Sequence, residues 1–137
     1  MVNKTYFLDT SYLIALLHKG DKWHETAISR RDEVIRNHIL LLTTEYILVE
    51  VADGLSALHF RKQAEDTVST LRDSQDVTVI PASTTLFDAG LSLYCARSDK
   101  EWSLTDCISF VVMEAHGLKE ALATDKHFRQ AGFHVLL

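Results

Sequence analysis

The chain has 137 residues, with 14 Lys and Arg against 19 Asp and Glu, and a formal net charge of −5 with histidine neutral. Five glycines and one proline make roughly 4% of the chain where an average protein carries about 12% of the two together, which excludes a turn-rich sandwich or a disordered chain. Apolar residues at 47% and charged residues at 24% are ordinary globular values, and a chain of this length buries one sizeable core without staples.

In chain order, TYFL at 5–8 is a short β-prone run that ends at Asp9, and residues 11–18 read as a helix stopped by Gly20. A long polar helix is expected over 22–37, followed by the apolar run at 39–42, short enough to be a buried strand. Helices follow at 45–58 and 60–73. VTVI at 77–80 is the clearest strand by its β-branched content, and Pro81 closes it. Residues 85–97 are helical. From 105 to 116 nearly every position is apolar, as in a helix buried on most sides, and Gly117 stands where a C-terminal cap belongs. Two short strands at 121–124 and 133–137 flank a helix of one or two turns that Gly132 ends.

Nothing in this pattern marks a linker, repeat or low-complexity tract, so residues 1–137 are expected to form a single domain. Five short strands separated by helices, with continuous rather than alternating apolar runs, predict an α/β fold with a five-stranded parallel sheet and helices on both faces. Ligands in such sheets bind beyond the carboxyl ends of the strands. Cys95 and Cys107 fit no disulfide framework, metal spacing or CxxC pattern and read as free thiols. The opening MVNKTYFLDTS lacks the apolar segment of a signal peptide, and YLIALL, ILLL and CISFVVM fall far short of a span of about 18 residues. A cytoplasmic protein without membrane association is expected. The acidic balance argues against broad electrostatic adhesion to nucleic acid and leaves room for a local basic groove.

The search for chemistry begins at the strand ends. Asp9 follows the first strand and Asp125 the fourth, and either could be simply an N-terminal helix cap. Asp106, in Ser103-Leu104-Thr105-Asp106, also completes a capping-box pattern, while its place in the first turn of a buried helix favours the anion and suits a metal ligand. In LTTEYILVEVADGL, the residues Ile47, Leu48, Val51, Leu55 and Leu58 form an apolar stripe. Glu50 lies at the rim of that stripe, whereas Glu45 and Asp53 point away from it. Four carboxylates at one sheet edge repel one another unless a cation neutralises them, and hard oxygen donors suit Mg2+ or Mn2+. The seven histidines form no zinc pair with another His or Cys, and His24, His116 and His127 read as surface or capping residues. Trp102 reads as a packing residue, and Arg97 and Lys100 as solvated cations.

Taken together, FLDTSYLIALL with Asp9, DKWHETA at 21–27, LTTEYILVEVADGL with Glu50, DKEWSLTDCISFVVM with Asp106 and ATDKHFRQAGF with Asp125 make the chain resemble a PIN domain. This is the metal-dependent ribonuclease fold of VapC-type toxins, and the resemblance covers essentially the whole chain. It implies a three-layer α/β/α sandwich on a five-stranded parallel sheet. It also implies an acidic site of Asp9, Glu50, Asp106 and Asp125 that binds Mg2+ or Mn2+, with Thr10 and Ser103 as supporting hydroxyls. Asp9 and Asp106 would be the main direct ligands, with Glu50 and Asp125 acting through bound water. The function implied is a metal-dependent endoribonuclease, the toxin of a type II toxin-antitoxin module, leaving a 5′-phosphate and a 3′-hydroxyl. RNA is its substrate, a small antitoxin its partner, and a homodimer its expected assembly. The alternatives are a noncatalytic RNA- or protein-binding module and a stand-alone RNA-processing nuclease. An aspartyl-phosphate phosphatase is disfavoured because Ser11 stands where such enzymes resemble DxD.

Overall fold

A computed structural model describes residues 4–137. The elements run β1 (Thr5–Leu8), α1 (Thr10–Leu17), α2 (His24–Arg36), β2 (Leu40–Thr44), α3 (Glu45–Gly54), α4 (Leu58–Asp73), β3 (Val77–Ile80), α5 (Thr84–Ala96), α6 (Leu104–Ala115), β4 (Glu120–Leu122), α7 (Lys126–Gln130) and β5 (His134–Val135). The strands form one parallel sheet in the order β3-β2-β1-β4-β5. Central β1 has Tyr6, Phe7 and Leu8 all buried, as a strand covered on both faces requires.

Helix α1 packs on α2 and α3, and α3 on α4, while α5 packs on α6 and α6 on α7. Right-handed crossovers between parallel strands place the first group on one face and the second on the other, giving the three-layer sandwich. From β1 the chain moves one way to β2 and β3, then returns past β1 to β4 and on to β5. The order therefore reverses between β1 and β4, and the crevice outside their carboxyl ends is where such a sheet binds ligands.

Several boundaries differ from the sequence pattern for identifiable reasons. Strand β2 runs on past the apolar ILLL to Thr43 and Thr44, both wholly buried. There the Thr43 hydroxyl donates to the Leu8 carbonyl (2.9 Å), and the Thr44 hydroxyl caps α3 by accepting the Ile47 N–H (3.2 Å). Helix α3 stops at Gly54, earlier than its apolar stripe suggests, and α4 starts at Leu58, two residues before Phe60. Exposed Leu58 thus lies outside the packed stripe, while Leu55 is buried at the α3 C-cap. The polar helix α2 begins only at His24, because the Asp21 carboxylate accepts the Trp23 N–H (2.8 Å) and holds a turn there. The last two strands are shorter than their apolar runs, with pairing confined to Glu120↔His134 and Ala121↔Val135. Gly117 and Gly132 do end their helices, with φ of 66° and 96°.

The core gathers Phe7, Leu8, Ile47, Val51, Ile108, Met113, Leu122 and Phe128. Trp102 is buried in packing, as its sequence reading had it: its ring meets Phe110 edge-on at 5.1 Å, and its indole N–H donates to Gln130 (3.0 Å). Within α5, Gly90 is buried against α6, and a Cβ there would stand 2.3 Å from Ile108 Cγ1. Only glycine permits that approach, which seats α6 and the carboxylate at its first turn. Among the described residues, no helix is long and apolar enough to cross a membrane. Both cysteines are free, Cys95 exposed and Cys107 buried.

Candidate active site

Asp9 sits where β1 becomes α1. Its backbone N–H donates to the Leu122 carbonyl (3.1 Å), carrying the β1–β4 pairing one residue further. Its side chain is the N-cap of α1: Oδ2 accepts the Ser11 N–H (3.1 Å) and the Ser11 hydroxyl (2.6 Å). The capping reading holds, and the cap leaves Asp9 at the carboxyl end of β1. The Ser11 hydroxyl in turn accepts the Thr124 N–H (2.9 Å), tying the turn after β1 to the segment that leads to Asp125. Asp9 is buried, and this burial pushes its pKa from the usual 3.8 up to about 7 against the lowering effect of the Ser11 bonds. The charges of Asp106 and Glu50 push it the same way.

Glu50 reaches the same edge from α3. The Thr10 hydroxyl, itself buried, donates to Glu50 Oε1. Its pKa is raised, first by burial and then by the charges of Asp106, Asp125 and Asp53, with the Thr10 bond opposing. The helical geometry that separated it from its neighbours holds: the Glu45 carboxylate turns instead to the Ala82 N–H (2.6 Å), and Asp53 is exposed.

Asp106 is the third helical residue of α6 and completes a capping box. The Ser103 hydroxyl accepts the Asp106 N–H (3.0 Å), and Asp106 Oδ2 accepts the Ser103 N–H (3.2 Å). The carboxylate is buried, which raises its pKa, while the bonds from His127 and the Ser103 backbone lower it. Asp125 caps α7, its Oδ1 accepting the His127 N–H (2.9 Å).

The residue that sequence reasoning misassigned is His127. It is neither a surface residue nor a mere cap: its half-buried ring places Nδ1 2.9 Å from Asp106 Oδ2 and 3.3 Å from Asp125 Oδ1. The signal in the sequence is an imidazole two residues after a strand-end aspartate, which pairing with another His or Cys does not reveal. Ser11 was missed as a structural link for a similar reason. Asp-x-Ser at a strand-to-helix turn is the local pattern of a side chain capping its own turn.

The four predicted carboxylates thus approach one edge from four different elements. Glu50 accepts the Thr10 hydroxyl and Asp9 the Ser11 hydroxyl, Asp106 and Asp125 meet across His127, and each of Asp9 and Glu50 feels the charge of Asp106. One oxygen each from Asp106 and Asp125 and one nitrogen of His127 lie within 4.8 Å of one another, a spacing that fits a cation. Beside the capping box, an open groove of about 810 Å3 runs past Ser103, with Tyr94, Arg97 and Lys100 in its lining. Arg97 lies over the Trp102 ring at 4.9 Å and is tied to Asp99 by two bonds of 3.0 Å.

The PIN domain family model matches residues 6–134, and the chain belongs to that family. It is 29% identical over 127 residues to the 23S rRNA-specific endonuclease VapC20 of Mycobacterium tuberculosis, a match covering 93% of this chain and 94% of the relative. The crystal structure of VapC20, described as a sarcin-ricin loop cleaving toxin, matches with a TM-score of 0.80 at 28% identity, over 93% of this chain and 95% of that one. VapBC2 from Rickettsia felis, bound to a DNA fragment from its promoter, matches with a TM-score of 0.67 at 12% identity over 96% of both chains. FitAcB from Neisseria gonorrhoeae matches with 0.61 at 18% identity over 95% of both. At such identities these last two speak to the fold alone.

Proposed function

We propose that this chain is an endoribonuclease, the toxin of a type II toxin-antitoxin pair, and that it hydrolyses RNA phosphodiesters with a divalent cation, Mg2+ or Mn2+, at Asp9, Glu50, Asp106 and Asp125. What supports this reading is that four carboxylates from separate elements act on one another's charge near the β1–β4 switch point, in a chain related over nearly its whole length to an rRNA endonuclease. The donor set fits a hard cation: oxygens predominate, two of the acids are buried, and their mutual repulsion calls for positive charge.

When bound, such an ion supplies charge neutralisation and activates water for in-line displacement at phosphorus. The chain's own residues set the stage. Asp9 and Asp106 are fixed by helix-cap bonds and would be the direct ligands, so their oxygens need little reorganisation. The Thr10 hydroxyl orients Glu50, which would act through bound water, and Asp125, half-buried at the start of α7, stands beside Asp106 across the His127 ring. Hydrolysis of this kind leaves a 5′-phosphate and a 3′-hydroxyl without a covalent intermediate. The groove beside Ser103, with Lys100 and Tyr94 in its lining, offers a cation and an aromatic ring to an RNA strand leading away from the acids. Structured ribosomal RNA is the substrate class we favour, by the relationship to VapC20. Residues 1–137 would act as one nuclease unit, homodimeric and cytoplasmic, held in check by a small antitoxin.

The test is cleavage of an RNA pool that includes the sarcin-ricin region of 23S rRNA, by purified protein with Mg2+, Mn2+ or EDTA, beside an Asp106→Asn control. We expect cleavage with either ion, none in EDTA, and 5′-phosphate ends. Cleavage that persists in EDTA, or that the variant retains, would overturn the metal mechanism. Folded protein that cuts no RNA under any ion would overturn the nuclease assignment.

A further inference from the structure

The imidazole of His127 goes beyond an all-carboxylate site. It is held between two of the acids, with Nδ1 2.9 Å from Asp106 Oδ2 and 3.3 Å from Asp125 Oδ1, and its side chain keeps only 18% of its exposure. Those separations carry information. In an octahedral site with bonds of about 2.1 Å, adjacent donors stand about 3.0 Å apart, the edge of the octahedron. Both distances from Nδ1 lie close to that edge, and the three donor atoms all fall within 4.8 Å of one another.

We infer that His127 coordinates the divalent ion through Nδ1, so that the site is a mixed nitrogen and oxygen centre that disfavours Mg2+ relative to first-row transition ions such as Mn2+. This rests on the metal-dependent reading of the same site. Without an ion, the Nδ1–H donates to Asp106 Oδ2. With an ion bound, Nδ1 would offer its lone pair to the metal, with the ring proton on Nε2. Asp106 Oδ2 keeps its Ser103 N–H and Asp125 Oδ1 its His127 N–H, so both carboxylates stay oriented while the ion replaces the imidazole proton between them. Local structure enforces the placement. Asp125 caps α7, His127 is the second residue of that helix, and wholly buried Phe128 anchors the turn beside Phe7 and Phe110. Mg2+ prefers oxygen donors and gives up water reluctantly, whereas imidazole is a better ligand for transition ions, and this sets the direction of the selectivity.

The experiment is pulsed electron paramagnetic resonance of the full chain loaded with Mn2+, using natural-abundance protein, protein labelled with 15N-histidine, and His127→Gln. Calorimetry of Mn2+ and Mg2+ binding accompanies it. We expect nitrogen coupling to Mn2+ that changes isotope with the label and vanishes in the variant. The preference for Mn2+ over Mg2+ should fall about tenfold in His127→Gln. The labelled native protein carries the test even if the variant does not fold. Mn2+ bound without nitrogen coupling, or with coupling that survives in a folded His127→Gln, would overturn the inference and leave the metal-dependent nuclease standing. Absence of Mn2+ binding in folded protein would overturn both.

Discussion

On the β1 side of the site, Asp9 and Glu50 are steadied by hydroxyls from consecutive residues of α1, while on the α6–α7 side Asp106 and Asp125 are steadied by backbone N–H groups and share an imidazole. Hydroxyls bring donors without net charge. Burial therefore dominates on the β1 side and leaves Asp9 with a pKa of about 7, within reach of neutral pH. On the other side, a ring nitrogen between two carboxylates opposes the desolvation of Asp106. The lesson is that one half of the site is arranged to hold a carboxylate in place, and the other also carries a second type of donor.

The comparison breaks most visibly in activity. Asp9→Asn and Asp106→Asn should each lower metal-dependent RNA cleavage by about 1000-fold or more, since each removes a buried carboxylate that would neutralise and position the ion. Asparagine keeps an acceptor for the helix cap, so the circular dichroism spectrum should be unchanged. If one variant retained near-native cleavage while the other lost it, catalysis would belong to one half of the site.

The supporting hydroxyls sharpen the contrast on a smaller scale. Ser11→Ala removes the link between the Asp9 carboxylate and the Thr124 N–H, and should weaken divalent-ion affinity by about 10- to 100-fold. Ser103→Ala, at an exposed position, should chiefly cost about 1 kcal/mol of helix-cap stability, with a smaller effect on affinity. Calorimetric titration beside thermal melts separates the two, and equal affinities for the two variants would contradict the division.

A separate expected effect is a pH dependence of stability in metal-free protein. The Asp9 pKa is raised on folding from 3.8 to about 7, so folding takes up a proton between those values. The stabilisation this brings is complete below about pH 4 and disappears as pH rises through 7. The side-chain amide of the Asp9→Asn variant cannot ionise, so that variant should melt several degrees above the native protein at pH 8 in EDTA. The margin should shrink towards pH 5. An added divalent ion should stabilise native protein more than the variant at pH 8, because only the native side chain supplies an anion. A margin that grows on acidification would reverse the sign and remove burial of Asp9 as its cause.

Much of this fold was legible in the chain because the signals are local. TYFL and VTVI form strands at the positions their composition marks, Gly117 and Gly132 end helices, and the apolar run before Gly117 is the buried α6. The four acids stood out for the same reason, since three of them cap helices and caps are written in adjacent residues. Capping alone did not distinguish Asp9 or Asp106 from an ordinary cap. The expectation that they do more than cap came from the order of segments along the chain.

The alternation of elements, the acids at their ends and the apolar stripe beside Glu50 are legible in the chain, because each depends on spacing along a helix or strand. Folding alone brings Ser11 to Thr124, α6 against Gly90 of α5, and His127 between Asp106 and Asp125. These contacts join residues on different elements, and a hydrogen bond across 113 positions leaves no periodic trace in the residues between.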